Sequence, residues 1–374
     1  MGRFINFIDK FDSKNKRFES LGHCLSAMGI AVFIFITAMY CSAAIKQALV
    51  KDFWADEAFG LKCAVRSTSL EQLLILGAPG QASPAPLDYI FLKILDNVRI
   101  SLHLEWVPYN VYYRLNSLFW TILAGVGVTS LYFCYFRSNI RNYFIFFLQI
   151  FFLAWALAYF YFRHDDLHFA IETRPYALWN SLWFSFMALF LFYREFNWLL
   201  LIISTALALT SSGSFFQLLV LALCSFAFQS YKTKEFLPAF KKTLLEFSFP
   251  LLISIYYSSK VGHWSYCFDG DSYHEYSKEF FGFWAHKCRV AIMAILGIVA
   301  TCTYQKWQKC SVVFFTILLL YSLSPFCNYM ILSKGMFFSS RQYLYYDLTF
   351  CILSLALALI LPNYWERIKS HYKK

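Results

Sequence analysis

Two adjacent acids, Asp56 and Glu57, stand in the stretch "FWADEAFG", just after the first long apolar run. Neighbouring carboxylates raise each other's proton affinity and can hold a proton or a cation. A carboxylate so placed can also act as a general base on an attacking hydroxyl. A second group lies in "RHDDLHFAIETRPYALW", which carries Asp165, Asp166, His168, Glu172 and Arg174. Arg174 directly precedes Pro175, and Pro suits the first turn of a helix. A guanidinium there can grip a phosphate through two hydrogen bonds; the competing reading is an internal Glu172–Arg174 ion pair. The third stretch, "SSRQYLYYDL", brings Arg341 and Tyr343, residue types that also serve as plain interfacial anchors. Lys62 and Arg66 follow the acid pair closely.

The elements that must position these groups are apolar. The 374 residues are 59% hydrophobic and only 15% charged, against about a quarter charged for soluble domains. Runs long enough to cross a bilayer recur, so the expected fold is an all-α polytopic membrane protein with about ten transmembrane helices. They fall near 24–50, 112–136, 143–162, 175–193, 198–211, 214–230, 243–259, 289–304, 311–328 and 343–361. The first run is too long for a signal-peptide core and is expected to stay in the chain. The eleven cysteines form no CxxC pair, and most lie inside predicted spans.

With the N-terminus inside, the inner segments carry the whole net charge of +11, and the outer segments balance. That asymmetry predicts cytoplasmic N- and C-termini. It also explains the basic character by topology and anionic lipid, without a nucleic-acid partner. Inner connections are short, while 51–111 is a long outer loop. Its segments "LEQLLILGAPG", "PLDYIFLKILDNV" and "HLEWVPYNVYY" read as short helices lying in the interface, punctuated by Pro79, Pro84, Pro86 and Pro108. The whole of 1–374 reads as one transmembrane domain, with no separate soluble C-terminal domain.

The order of the motifs says more than any one of them. An acid pair follows span one, "SPAPLDY" comes next, "RLNSL" opens span two, "ETRPYAL" opens span four and "SSRQYL" opens the last. This series resembles the GT-C superfamily of membrane glycosyltransferases, in the protein-mannosyltransferase-like branch that includes bacterial polyprenyl-phosphate-sugar-dependent enzymes. The likeness covers most of the chain. It departs where Ser83-Pro84-Ala85-Pro86 replaces a "HPP" segment, where Ser211 and Ser212 replace a His, and where Gln342 splits a late "RY".

The resemblance implies inverting sugar transfer from a polyprenyl-phosphate-linked donor to a glycan, lipid or protein acceptor. The active site is expected on the outer face, in a bacterial inner membrane. In that scheme Asp56 is the general base and Glu57 orients it or the acceptor. Arg174, Arg341, Tyr343 and Lys62 hold the donor phosphate, with Arg66 a further candidate, and Asp165, Asp166, His168 and Glu172 meet the acceptor. No His/Cys metal signature is present, so no obligatory metal is expected, while a divalent cation stays an open option at Asp165 and Asp166. The competing class is a transporter or flippase of lipid-linked sugars. Transporters place ionisable residues at mid-membrane and repeat their halves, whereas here those residues cluster in outer loops and no repeat is visible.

Overall fold

The computed structural model describes residues 15–53, 55–79, 84–136, 143–162, 171–192, 198–211 and 214–260. These are all-helical, with no strand among the described residues. In chain order the helices are α1 (Asn15–Val50), α2 (Ala55–Phe59), a π-helix (Gly60–Arg66), α3 (Leu70–Leu76), α4 (Leu87–Ser101) and α5 (Tyr109–Phe136). There follow α6 (Tyr143–Phe162), α7 (Tyr176–Phe192), α8 (Trp198–Ala208), α9 (Ser214–Thr233) and α10 (Phe236–Ser258). Every expected span within the described residues is a helix; those expected at 289–304, 311–328 and 343–361 lie outside them.

One described helical segment, His23–Val50, is both long and apolar enough to cross a membrane. Shorter apolar helices run over Gln149–Phe162, Trp198–Ala208 and Gln217–Ala227. Exposed side chains on α1 are largely apolar, including Ile30, Ile34, Phe35 and Met39. α10 likewise exposes Leu245, Phe249 and Leu252.

α5 packs most extensively on α7, and α1 lies against α5 and α6. Close approach is allowed by Gly127, where an added Cβ would come within 2.8 Å of the Phe184 Cβ on α7. Glycine, with no side chain, lets the two helices meet there. On the other side α8, α9 and α10 pack together, and α8 joins α7.

The described residues of the 51–108 connection form short helices. The Ser69 hydroxyl accepts the Gln72 N–H at 3.1 Å, and the Gln72 side chain accepts the Ser69 N–H at 2.9 Å. This reciprocal box starts α3. Gly77 ends it at φ 79°, a left-handed conformation that favours glycine. Ala78 N–H then bonds the Pro84 carbonyl at 2.8 Å. The terminal carbonyls of α3 are taken by the end of α10 and the residues just after it: Tyr256 donates to Ile75 at 2.6 Å, Tyr257 to Leu74 and Lys260 to Ile75. α4 has a polar inner face. It buries Asp88, Tyr89, Leu92, Asp96 and Arg99 and exposes Ile94, Val98 and Ile100.

Gly127→Val drives a branched side chain into the α5–α7 contact. Overpacking of this kind costs about 1–3 kcal/mol. A lowered thermal midpoint of the detergent-purified chain is expected, and an unchanged midpoint would show that the helices do not meet there.

Candidate functional site

The first turns of α5 gather the motifs that the sequence scatters. Arg114 is the centre, and its side chain is 2% exposed. Its Nη2 donates to Glu57 Oε2 at 3.1 Å and to the Asp52 carbonyl at 3.0 Å. Its Nη1 donates to the carbonyls of Ala48 at 3.2 Å and Lys51 at 2.5 Å. Ala48 lies in the last turn of α1, where helical geometry leaves acceptors without partners, and Lys51 and Asp52 follow the helix directly. A cation is also favoured at that negative helix end. Asn110 adds a bond to the Ala48 carbonyl at 2.8 Å. The Phe53 ring lies 5.0 Å from the guanidinium carbon and helps exclude water from it.

Glu57 is 1% exposed, and both its oxygens are engaged. Oε2 pairs with Arg114, while Oε1 accepts the Thr173 N–H at 2.8 Å and the Thr173 hydroxyl at 3.1 Å. The acid after span one is thereby tied to the "ETRPYAL" motif. Residues 172–174 form a tight turn in which Arg174 N–H bonds the Glu172 carbonyl at 2.8 Å. Ser117 of α5 donates to the same carbonyl. Pro175 then supplies the carbonyl for the first bond of α7, from Trp179 at 2.8 Å.

The Glu172 carboxylate is buried and faces Lys51 Nζ at 3.5 Å. Burial pulls the Lys51 ammonium below its ordinary pKa, while Glu172 and Glu57 act against that shift. Two carboxylates and two cations thus share one enclosed place, in keeping with the rule that buried charges are paired.

Two residues beyond Arg114, Asn116 donates to Asp88 Oδ1 at 2.8 Å and accepts the Trp120 indole N–H at 2.8 Å. Asp88 is 1% exposed, and its Oδ2 has no partner among the described residues. Burial pushes its pKa up to about 7, with the Asn116 bond opposing. The "SPAPLDY" segment is therefore also fastened to α5. Its Leu87 N–H bonds the Leu209 carbonyl at 2.9 Å, linking it to the end of α8. A shallow apolar cleft between α1 and α5, lined by Ala44, Ile45, Ala48, Leu115 and Ile171, reaches Arg114.

Of the residues singled out in the sequence, Glu57 and Glu172 meet here. Asp56 is the second residue of α2, but its side chain lies outside what is described. Arg174 is half-buried at the edge of the turn, its guanidinium 5.6 Å from the Tyr176 ring. Lys62 is exposed on the π-helix, apart from the ion pairs. Asp165, Asp166, His168, Arg341 and Tyr343 lie outside the described residues.

Sequence reasoning gave no role to Arg114, Asn116, Asp88 or Lys51. A usable signal was present: Arg114 is a cation at the mouth of a long apolar run, and such a residue must find a counter-charge. Among the described residues no group of three or more His, Cys, Asp or Glu is arranged to hold a metal. No protein-family model, curated protein or solved structure matches the chain.

Arg114→Met leaves Glu57 charged and buried and uncaps α1, and removal of one partner from such a pair costs about 3–5 kcal/mol. Glu57→Gln should cost less, because Arg114 keeps three carbonyl acceptors. Denaturation of the two variants in detergent tests this order, and the reverse order contradicts the capping role.

Asp88 gives a pH signature. Its folded pKa lies above its unfolded value, so its contribution to stability is present below about pH 4 and is lost as pH rises through about 7. Asp88→Asn keeps the shape and removes the titration. The thermal midpoint of the variant should therefore gain on that of the wild type between pH 5 and pH 8. Parallel curves would show that Asp88 does not titrate there.

Proposed function

We propose that the chain is an inverting glycosyltransferase that takes a sugar from a polyprenyl-phosphate donor at the outer face of a membrane. In this reading about ten helices span the bilayer, and α2 to α4 lie in the outer interface. The support for membrane residence is apolar side chains on the outside and polar ones inside. α4 carries this furthest, with Asp88, Asp96 and Arg99 buried and Ile94 and Ile100 exposed. Such a helix suits an apolar solvent better than water.

The observation that carries the functional reading is the convergence on α5. Glu57, Asp88 and the Glu172–Arg174 turn come from three distant segments, and Arg114, Asn116 and Ser117 hold them together. With both Glu57 oxygens engaged, the base role falls to Asp56, and Glu57 fixes the short helix that carries it. Asp56 would accept the proton of the acceptor hydroxyl as that oxygen attacks the anomeric carbon. The leaving lipid phosphate develops charge, which needs cations fixed in advance. Arg174, next in the chain to the Thr173 that binds Glu57, is assigned that task, together with Arg341. Asp165, Asp166 and His168 keep their assignment to the acceptor, and the sugar and acceptor remain defined by class alone.

The deciding experiment compares envelope glycans by mass spectrometry in a strain lacking the chain, complemented with wild type or Asp56→Asn. One sugar mass should vanish on deletion and return with wild type only. Full return with Asp56→Asn would remove the base assignment and favour transport of a lipid-linked sugar. Arg174→Lys should lower donor affinity roughly tenfold, because Lys cannot make the paired bonds to phosphate. Donor titration into the purified chain measures it, and unchanged affinity would take the phosphate from Arg174.

A further inference from the structure

The junction of α9 and α10 presents exposed lysines among exposed apolar side chains. This stretch holds four lysines, Lys232, Lys234, Lys241 and Lys242, against two acids, Glu235 and Glu246. Lys234, Lys241 and Lys242 are exposed. Lys242 reaches Glu246 only at 3.9 Å and stays half-exposed, and an exposed pair of that kind contributes little. Beside the lysines, Phe236, Leu237 and Phe240 are exposed as well. Phe226 of α9 braces two of them, with ring centroids 5.0 Å from Phe236 and 6.0 Å from Phe240.

α10 sorts its side chains by face. Ala239, Thr243, Phe247, Pro250, Ser254 and Tyr257 are buried at a spacing of three or four residues, and the helix packs on α8 and α9. Leu237, Lys241 and Leu245 form an exposed row at a spacing of four. A lysine in an apolar row lays its stem along that surface and keeps its ammonium among polar groups. From Thr243 to Ile255 the exposed residues are all apolar: Leu244, Leu245, Phe249, Leu252 and Ile255. Lys241 and Lys242 thus mark where the apolar surface of α10 gives way to a charged one.

The two ends of α10 meet different surroundings. Tyr256, Tyr257 and Lys260, at and just past its end, hold α3 of the 51–108 connection. Its 23 residues make an axis roughly 34 Å long, about one hydrocarbon thickness. In the orientation proposed for the chain, α3 lies at the outer interface, and the lysines then stand at the opposite, inner surface.

Lys234 carries a further sign. Its backbone is left-handed, at φ 57°, and its N–H closes α9 on the Ser230 carbonyl at 2.9 Å. Glycine takes that position most easily. A lysine there costs backbone strain that glycine would not.

We propose that Lys234, Lys241 and Lys242, with Phe236 and Phe240 between them, form a docking surface for the anionic lipid headgroups of the inner leaflet. The ammonium groups meet the lipid phosphates, and the rings sit at headgroup level. The surface rests on the orientation of the chain given under the proposed function and on no step of the transfer reaction.

The full chain in a neutral detergent is titrated with phosphatidylglycerol or phosphatidylcholine of equal chain length, and bound lipid is counted by native mass spectrometry. Wild type should hold phosphatidylglycerol the tighter. Lys241→Gln should weaken that binding roughly fivefold and leave phosphatidylcholine unchanged. Lys46→Gln, an exposed change on α1, should alter neither. Lys234→Gly should also lose roughly fivefold while its thermal midpoint holds or rises, since glycine relieves the strain; a lysine with a merely structural role would lose stability instead. In spheroplasts, Lys234→Cys should take up no more impermeant maleimide than wild type until the membrane is opened. Extra labelling of intact cells overturns the inner placement and leaves the glycan comparison to be read by itself. Equal affinity of wild type for the two lipids, or unchanged phosphatidylglycerol binding by Lys241→Gln, overturns the docking surface.

Discussion

The arrangement depends on one buried cation. A guanidinium cannot shed its proton, so Arg114 must be surrounded by acceptors wherever it is enclosed. At the end of α1 the backbone supplies three of them, the carbonyls of Ala48, Lys51 and Asp52. These satisfy hydrogen bonds but cancel no charge. Glu57 does that, and the need for it fixes where α2 must sit. Glu57 in turn has a second oxygen to satisfy, and Thr173 satisfies it. Each link leaves one demand that the next segment of chain meets.

This explains why α5 is the organising helix. Four positions within five residues each hold a different part of the fold. Tyr113 holds Asp96, Arg114 holds Glu57, Asn116 holds Asp88 and Ser117 holds the Glu172 carbonyl. Neighbouring positions on a helix point about 100° apart, so one and a half turns reach partners on every side. Against water such bonds would contribute little. In an enclosed setting their loss leaves unpaired groups, and the penalty for that exceeds the value of the bonds themselves.

The helices were largely legible in the sequence, because length and apolar content alone mark them. α6, expected over 143–162, occupies Tyr143–Phe162. Short helices of the 51–108 connection were legible from their apolar and aromatic stretches, and α3 falls in "LEQLLILGAPG". The π-helix, which packs against α4, was not, since its wider turn follows no residue pattern. For the site, the sequence pointed to acids and arginines in the right segments but not to their pairing. Glu172 was weighed against Arg174 because the two lie close in sequence, whereas Lys51 faces it from a distant segment. Long-range partners leave no trace in spacing, so Arg114 stood in plain sight within "YYRLNSL" without a role.

The arginines around α4 and α5 form a graded series. Among the described residues Arg114 has one carboxylate, three carbonyls and an Nε without a partner; Arg99 has two carbonyls and an Nη1 without a partner; Arg66 has two long bonds. They are joined in space through Phe53 and Tyr109. Satisfaction falls as exposure rises, and this separates their capacities. A guanidinium whose donors are nearly all taken by its own chain can anchor helices but has little left to offer a ligand. One held by long bonds contributes less to the fold. The same residue type therefore builds the scaffold at one end of the aromatic bridge and is loosely held at the other. The difference lies in how many acceptors the surrounding backbone supplies.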